Sequence, residues 1–190
     1  MTDAPWLLEQ LTNDPKLAMV AGDELVRRGP RMDFVLRRVP TRSGQEKIRE
    51  VVVHPGAVLI LPVLDDGRVV LIRNFRHTVH EALWELPAGT LEKGEDPALC
   101  AARELTEETG YTAAQVEALG WFFTSPGVLT EKMYVFLASG LVAGRQKLED
   151  NERIEVHPLS FQTVRRMILE NQIVDAKTVA TLLKYELSRA

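Results

Sequence analysis

The sequence predicts an α/β fold: a sandwich built on a mixed sheet and preceded by a small N-terminal antiparallel β extension. Three observations carry this. Strand-like runs separated by turn residues fill most of the first half, one sharply capped helix between Pro97 and Gly110 sits among them, and two further helical stretches follow near the C-terminal end. Mixed strands with a helix inserted between them imply layers of helix on sheet rather than a barrel.

Its 190 residues, 45% hydrophobic and 26% charged, suit one domain with an extension. The formal charge of -4 and the lack of a basic tract argue against a nucleic-acid partner. No apolar run approaches a membrane span and no secretory leader pattern opens the chain, so no membrane partner and a cytoplasmic location are expected. The single cysteine, Cys100, excludes an intrachain disulfide and is expected to be a small, partly buried side chain in the helix.

Taken in order, residues 1–15 read as an arm or short helix carrying Trp6, Leu7 and Leu8. Strands are expected from Leu17 to Val26, Met32 to Val39 and Lys47 to Val53, with turns at Arg28-Gly29-Pro30 and Ser43-Gly44-Gln45. Three short strands bury little alone, so residues 1–53 are expected to form a β extension that needs another surface, which is the case for a homodimer. His54-Pro55-Gly56 marks the boundary with a second unit, 54–190.

The apolar runs Ala57 to Leu64 and Val69 to Phe75 flank Asp65-Asp66-Gly67, a hairpin signal. Basic, aromatic and acidic groups then gather at Arg73, Phe75, Arg76, His77, Glu81, Trp84 and Glu85, a set better suited to a phosphate and a ring system than to a core. Further strands are expected over Val116 to Phe123, Lys132 to Ala138 and Ile154 to His157, with a linker over Ser139 to Arg145 and an acidic loop Glu149-Asp150-Asn151-Glu152. Ser160 and Asp175 are placed to cap helices running to about Leu169 and Leu187.

The chemistry is concentrated between Glu85 and Tyr111. Asp96 is a good N-cap, Pro97 fits the first helical position, and Gly110 is placed to end the helix. At 3.6 residues per turn Ala98, Ala102, Leu105 and Thr109 share one face, while Glu104 and Glu108 stand one above the other with Glu107 beside them. Such like-charged pairs cost about a few tenths of a kcal/mol each, a cost that a hard divalent cation removes by taking the carboxylate oxygens. Arg103 can reach Glu107 and Glu95 and so acts as a brace; Glu152, from a separate acidic loop, is the candidate general base. The bend at Pro87-Ala88-Gly89 can offer a backbone carbonyl to a cation.

From Gly89 the sequence runs through five residues to Glu95, seven more to Arg103-Glu104-Leu105, then Glu107-Glu108 and Gly110-Tyr111. This stretch of twenty-three residues resembles the box of the Nudix hydrolase family at every defining position. Pro126, sixteen residues past Gly110, resembles the mark of the ADP-ribose pyrophosphatase branch, as do Ser125-Pro126-Gly127, His54-Pro55-Gly56-Ala57 and the run Glu81 to Gly89.

The resemblance implies a Nudix-type α/β/α sandwich and a Mg2+-dependent hydrolysis, with Mn2+ as a possible substitute and two or more ions per site. The implied reaction splits ADP-ribose into AMP and ribose 5-phosphate; the alternatives are another nucleotide sugar such as GDP-mannose and a non-catalytic ADP-ribose-binding regulator. It implies Glu104, Glu108 and the Ala88 carbonyl as metal ligands and Glu152 as the acid of a mobile loop; the helical spacing adds Glu107 to the metal set, and Glu152, Glu108 and the brace Arg103 are the candidate catalytic set. It implies Arg76 near the phosphates and Glu85 near the metals, and these two with Pro126 and Gly127 are the candidate substrate-binding set. It also implies a homodimer whose N-terminal strands hold the base, for which Phe34, Arg49 and the arm near Trp6 are candidates. Asn151 and Arg153 flank Glu152 where the branch is often more acidic, which leaves Glu149, Asp150 and Glu108 as alternative bases.

Overall fold

A computed structural model describes residues 17–150 and 152–189; the expected arm around Trp6, and Asn151, lie outside the described residues. Strands β1 (Glu24–Arg28), β2 (Asp33–Pro40) and β3 (Glu46–Val53) form an antiparallel sheet in that order. The first strand starts later than the sequence suggests. Gly22 adopts φ +93° and the Asp23 carboxylate accepts the Val20 N–H, closing a turn, while the same carboxylate holds Arg37 of β2. That turn consumes residues 20–23, and the strand begins only beyond it.

Next come β4 (Ala57–Pro62), β5 (Val69–Arg76), β6 (Glu81–Glu85), β7 (Ala88–Thr90), α1 (Pro97–Thr109), β8 (Tyr111–Phe123) and β9 (Lys132–Ala143). The last are β10 (Ile154–Leu159), α2 (Phe161–Leu169) and α3 (Ala176–Leu187). One sheet has the order β10-β5-β6 and is antiparallel; the other, β7-β4-β9-β8, is mixed because β4 and β9 run parallel. Asp65-Asp66-Gly67 does make a turn, with the Gly67 N–H donating to Leu64 and a single bridge between Val63 and Val69. Beyond it the two runs part into different sheets, each pairing with strands from later in the chain.

Two differences from the sequence reading concern the β8–β9 pair and the face of α1. Residues 139–143, expected as linker, extend β9 because Gly110 ends the helix directly into a strand, so Tyr111, Thr112 and Ala113 pair with Ala143, Val142 and Leu141. The helix face also turns by one position: Ala101 rather than Ala102 is buried, alongside Cys100, Leu105 and Thr109, and Cys100 is wholly rather than partly enclosed.

Every residue of β4 is buried, as expected of a central strand covered on both sides. Val58 and Ile60 pack with Cys100, Ala101 and Leu105 of α1. Leu59 and Leu61 face the other way, toward Leu71 of β5 and Val164, Met167 and Leu182 of α2 and α3. The result is the expected sandwich, with α1 on one side, α2 and α3 on the other, and β4 as the shared wall.

Candidate functional site

An open cleft of about 1640 Å³ runs between the N-terminal sheet and the edge of the sandwich where β7 meets α1. Small-molecule pockets are typically about 300–1000 Å³, so the cleft has room for a ligand as large as a nucleotide joined to a sugar. His54, Arg76, Ala88, Gly89, Arg103, Glu104, Glu107, Glu108, Glu152 and Lys177 contribute to its lining.

The carboxylates are placed by α1. Asp96 accepts the Ala98 and Leu99 N–H groups at 2.8 and 3.2 Å, fixing the helix start, and Gly110 ends it at φ +76°. On the cleft side the Ala88 N–H donates to Glu108 Oε2 at 2.8 Å. Gly89 pairs with Val58 of β4, and a Cβ there would lie 1.9 Å from Glu104 Cδ. Only a glycine lets the Glu104 carboxyl lie against this backbone, which gives the first glycine of the motif its physical reason.

Burial governs the charges. Glu108 is 4% exposed, and burial pushes its carboxyl up to about 8, against the pull of the Ala88 N–H and with the Glu104 charge reinforcing it. Glu104 is raised as well, by burial first; Arg103 opposes this, and Glu107 and Glu152 add to it. Arg103 is the brace expected from its spacing. Its guanidinium donates to Glu95 at 3.0 and 3.2 Å, to Glu104 at 2.7 Å and to Glu107 at 3.0 Å.

The donor set suits a hard divalent cation: three carboxylates on one helix, two of them held above their ordinary range by burial and mutual repulsion. Among the described residues no three His, Cys, Asp or Glu side chains are already gathered around a point as a metal-binding group. The reason is visible in the hydrogen bonds, since Arg103 and the Ala88 N–H occupy oxygens that a cation would claim.

A second buried carboxylate anchors the opposite wall. Glu85 is 1% exposed and receives Arg76 at 2.7 and 2.6 Å and Lys177 Nζ at 2.8 Å; Lys177 also donates to Asp175 at 2.7 Å. Burial alone would raise Glu85, but Arg76 and Lys177 together bring it below the usual carboxylate value. Arg76 is correspondingly raised, first by its hydrogen bonds to Glu85. Lys177 and Asp175 were missed as site residues. Asp175 is legible in sequence only as a helix cap, which it also is through Thr178 N–H, and nothing local marks Lys177 as facing a carboxylate ninety-two positions earlier.

Glu152 lies at the cleft, its carboxylate accepting the Glu149 N–H at 2.9 Å. Pro126 and Gly127 are not among the lining residues. β8 runs as far as Phe123 and carries their exposed turn beyond the rim, where Val52 donates to Val128 and bridges to Leu129. His54 is buried, accepts the Gly56 N–H on Nδ1, and is held below its ordinary pKa by that burial. His77 lines the cleft beside Phe75, whereas Trp84 packs into the core with His157 edge-on.

Fold and site together define an α/β/α sandwich in which a glycine bend and a carboxylate-bearing helix face one cleft. The chain belongs to the Nudix family: the family model described as NUDIX domain matches residues 53–182. It is similar to the ADP-ribose pyrophosphatases of Bacillus subtilis (strain 168), 37% identical over 85% of this chain and 89% of the relative, and of Mycobacterium tuberculosis (strain ATCC 25618 / H37Rv), 39% identical over 79% and 75%. A methanol dehydrogenase activator of Bacillus methanolicus is 37% identical over 78% and 81%, and a GDP-mannose pyrophosphatase of Yersinia pestis (strain Pestoides F) is 36% identical over 75% and 76%. The fold is that of a crystal structure of an ADP compounds hydrolase, with a TM-score of 0.77 at 20% identity, covering 88% of this chain and 91% of the other.

Proposed function

We propose that the protein is a Mg2+-dependent hydrolase that cleaves the pyrophosphate linkage of ADP-ribose, giving AMP and ribose 5-phosphate. The observation that carries this reading is the Glu104–Glu108 pair, half-buried and buried respectively, lying against the Ala88-Gly89 backbone at the edge of a cleft that also holds Arg76. Similarity to two ADP-ribose pyrophosphatases supports the substrate. Bound divalent cations would shield the phosphoryl oxygens and help ionise the attacking water.

In this reading Glu104, Glu107, Glu108 and the Ala88 carbonyl would hold the cations, and Arg103 braces Glu104 and Glu107 on the cleft side of α1. Arg76, locked in place by Glu85, binds a phosphate oxygen. Glu152 takes the proton from the attacking water. The exposed apolar residues Leu25, Val26 and Ile48 of the N-terminal sheet, with Met32 in the turn between its first two strands, support a homodimer formed through residues 1–53, with residues 54–190 as the hydrolase unit; sedimentation as a monomer at micromolar concentration would remove it. The reaction's soluble substrate suits a cytoplasmic protein, and among the described residues no helix is long and apolar enough to cross a membrane.

The test is product analysis on ADP-ribose, GDP-mannose and ADP-glucose with and without Mg2+. AMP and ribose 5-phosphate formed fastest from ADP-ribose, and only with the metal, is the expected result. Preference for GDP-mannose would transfer the function to the alternative. Binding without turnover of any of the three would make the protein a regulator.

A further inference from the structure

The last carbonyls of a helix have no partner within it and must be satisfied from outside. In α1 the Thr106 carbonyl takes the Gly110 N–H, but those of Glu107 and Glu108 lie beyond that bond. Both are capped by one short strap. Lys147 N–H donates to the Glu107 carbonyl at 2.9 Å, and Gln146 Nε2 donates to the Glu108 carbonyl at 2.6 Å.

Close passage makes this possible. A Cβ on Gly144 would lie 2.8 Å from the Gly110 oxygen, and one on Gly110 would lie 2.9 Å from Arg145 C and Gln146 N, so the strap crosses the helix end in backbone contact. The same Gln146 amide also reaches the Ile154 carbonyl at 3.3 Å, where β10 begins. One side chain therefore ties together both ends of loop 147–153 and fastens them to the residue that supplies the buried carboxylate of the site. Within the loop, Glu149 and Glu152 exchange hydrogen bonds, Glu152 N–H to the Glu149 carbonyl at 3.0 Å and Glu149 N–H to the Glu152 carboxylate at 2.9 Å. Glu149 and Glu152 are thus bonded to each other, so what holds residues 147 and 154 bears on where Glu152 stands relative to Glu108.

We infer that Gln146 is a positioning residue for Glu152, joining the acid-bearing loop to the C-terminal turn of the carboxylate helix. The inference rests on the reading of Glu152 as the proton acceptor. Gln146 touches no reacting atom, and its amide contributes two N–H donors to two carbonyls from distant parts of the chain. Gln146→Met keeps the size and removes both donors, while Gln146→Glu puts acceptor against acceptor.

Both variants are measured for kcat, KM and Tm on ADP-ribose, alone and combined with Glu152→Gln, and the amide exchange of Lys147 and Glu149 is followed in parallel. Expected are a kcat loss of about 10- to 100-fold with KM held within about twofold, faster exchange at both amides, and no further kcat loss when Gln146→Met is added to Glu152→Gln. A slow Glu152→Gln beside a fully active Gln146→Met would overturn the role of Gln146 alone. Equal fractional losses in both backgrounds would also overturn it, because Gln146 would then act on the site without Glu152. A fully active Glu152→Gln would remove the underlying reading and the inference with it. Unchanged exchange at Lys147 and Glu149 would overturn the tether whatever the turnover.

Discussion

Replacing Glu108 by Gln separates the cost of its buried charge from its use. The carboxyl moves from an ordinary value of 4.5 to about 8 on folding. Above about pH 4.5 the unfolded chain has released a Glu108 proton that the folded chain still binds, so the Glu108 contribution to metal-free stability falls as pH rises and levels off beyond about pH 8. Between about pH 5 and pH 8 the loss is about 3–4 kcal/mol, which at roughly 2–4 °C per kcal/mol is about 10 °C in Tm. Glutamine has the shape of the protonated acid and keeps an oxygen for the Ala88 N–H. Without metal, Glu108→Gln is therefore expected to melt near wild type at about pH 5 and about 10 °C above it at about pH 8. Saturating Mg2+ is expected to reverse the order, since only the wild-type carboxylate gains from the cation, while kcat on ADP-ribose falls by orders of magnitude. Glu85, held below its ordinary value, contributes stability that is lost only as pH falls beneath the carboxylate range, outside this window. Scanning calorimetry across pH with chelator decides the matter: a variant that melts lower than wild type at about pH 8, or a gap independent of pH, would refute the buried-charge argument.

Two more substitutions probe the walls of the cleft. Gly89→Ala places a methyl group 1.9 Å from Glu104 Cδ; displacement of that carboxylate is expected to cut kcat by about 100-fold while the far-ultraviolet circular dichroism stays unchanged, and near-normal turnover would show that Glu104 need not lie there. Lys177→Met leaves Glu85 buried with Arg76 as its remaining cation; a stability loss of about 2–4 kcal/mol in urea unfolding is expected together with a raised KM, and an unmoved midpoint would mean that the pair contributes nothing.

What could be read from the sequence was local. Asp96, Pro97 and Gly110 bound α1 because capping acts within one turn, and the positions of Glu104, Glu107, Glu108 and Arg103 follow from helical spacing alone. The hairpin signal at Asp65-Asp66-Gly67 was correct as a turn but silent about partners, since the pairing of β4 with β9 and of β5 with β10 is decided far along the chain. Residues 139–143 looked like linker because Ser139 and Gly140 are poor strand formers, yet register against β8 overrides that preference. Glu85 was placed at the site, while its lysine was not, because a contact across ninety-two positions leaves no trace in periodicity. The helix face was misread by one position, Ala102 for Ala101, since small residues on both sides of a stripe do not say which one faces β4.

The Glu85 clamp gives the final helix of the fold an unusual standing. Asp175 both starts α3 and holds Lys177, and Thr178 in its first turn receives the Leu86 N–H at 2.9 Å. Shaving or loosening that far end of the molecule would thus reach Arg76 in the cleft by way of one shared anion, so a fusion or truncation near α3, made for convenience in purification, would disturb a wall of the cleft rather than merely trim an appendage.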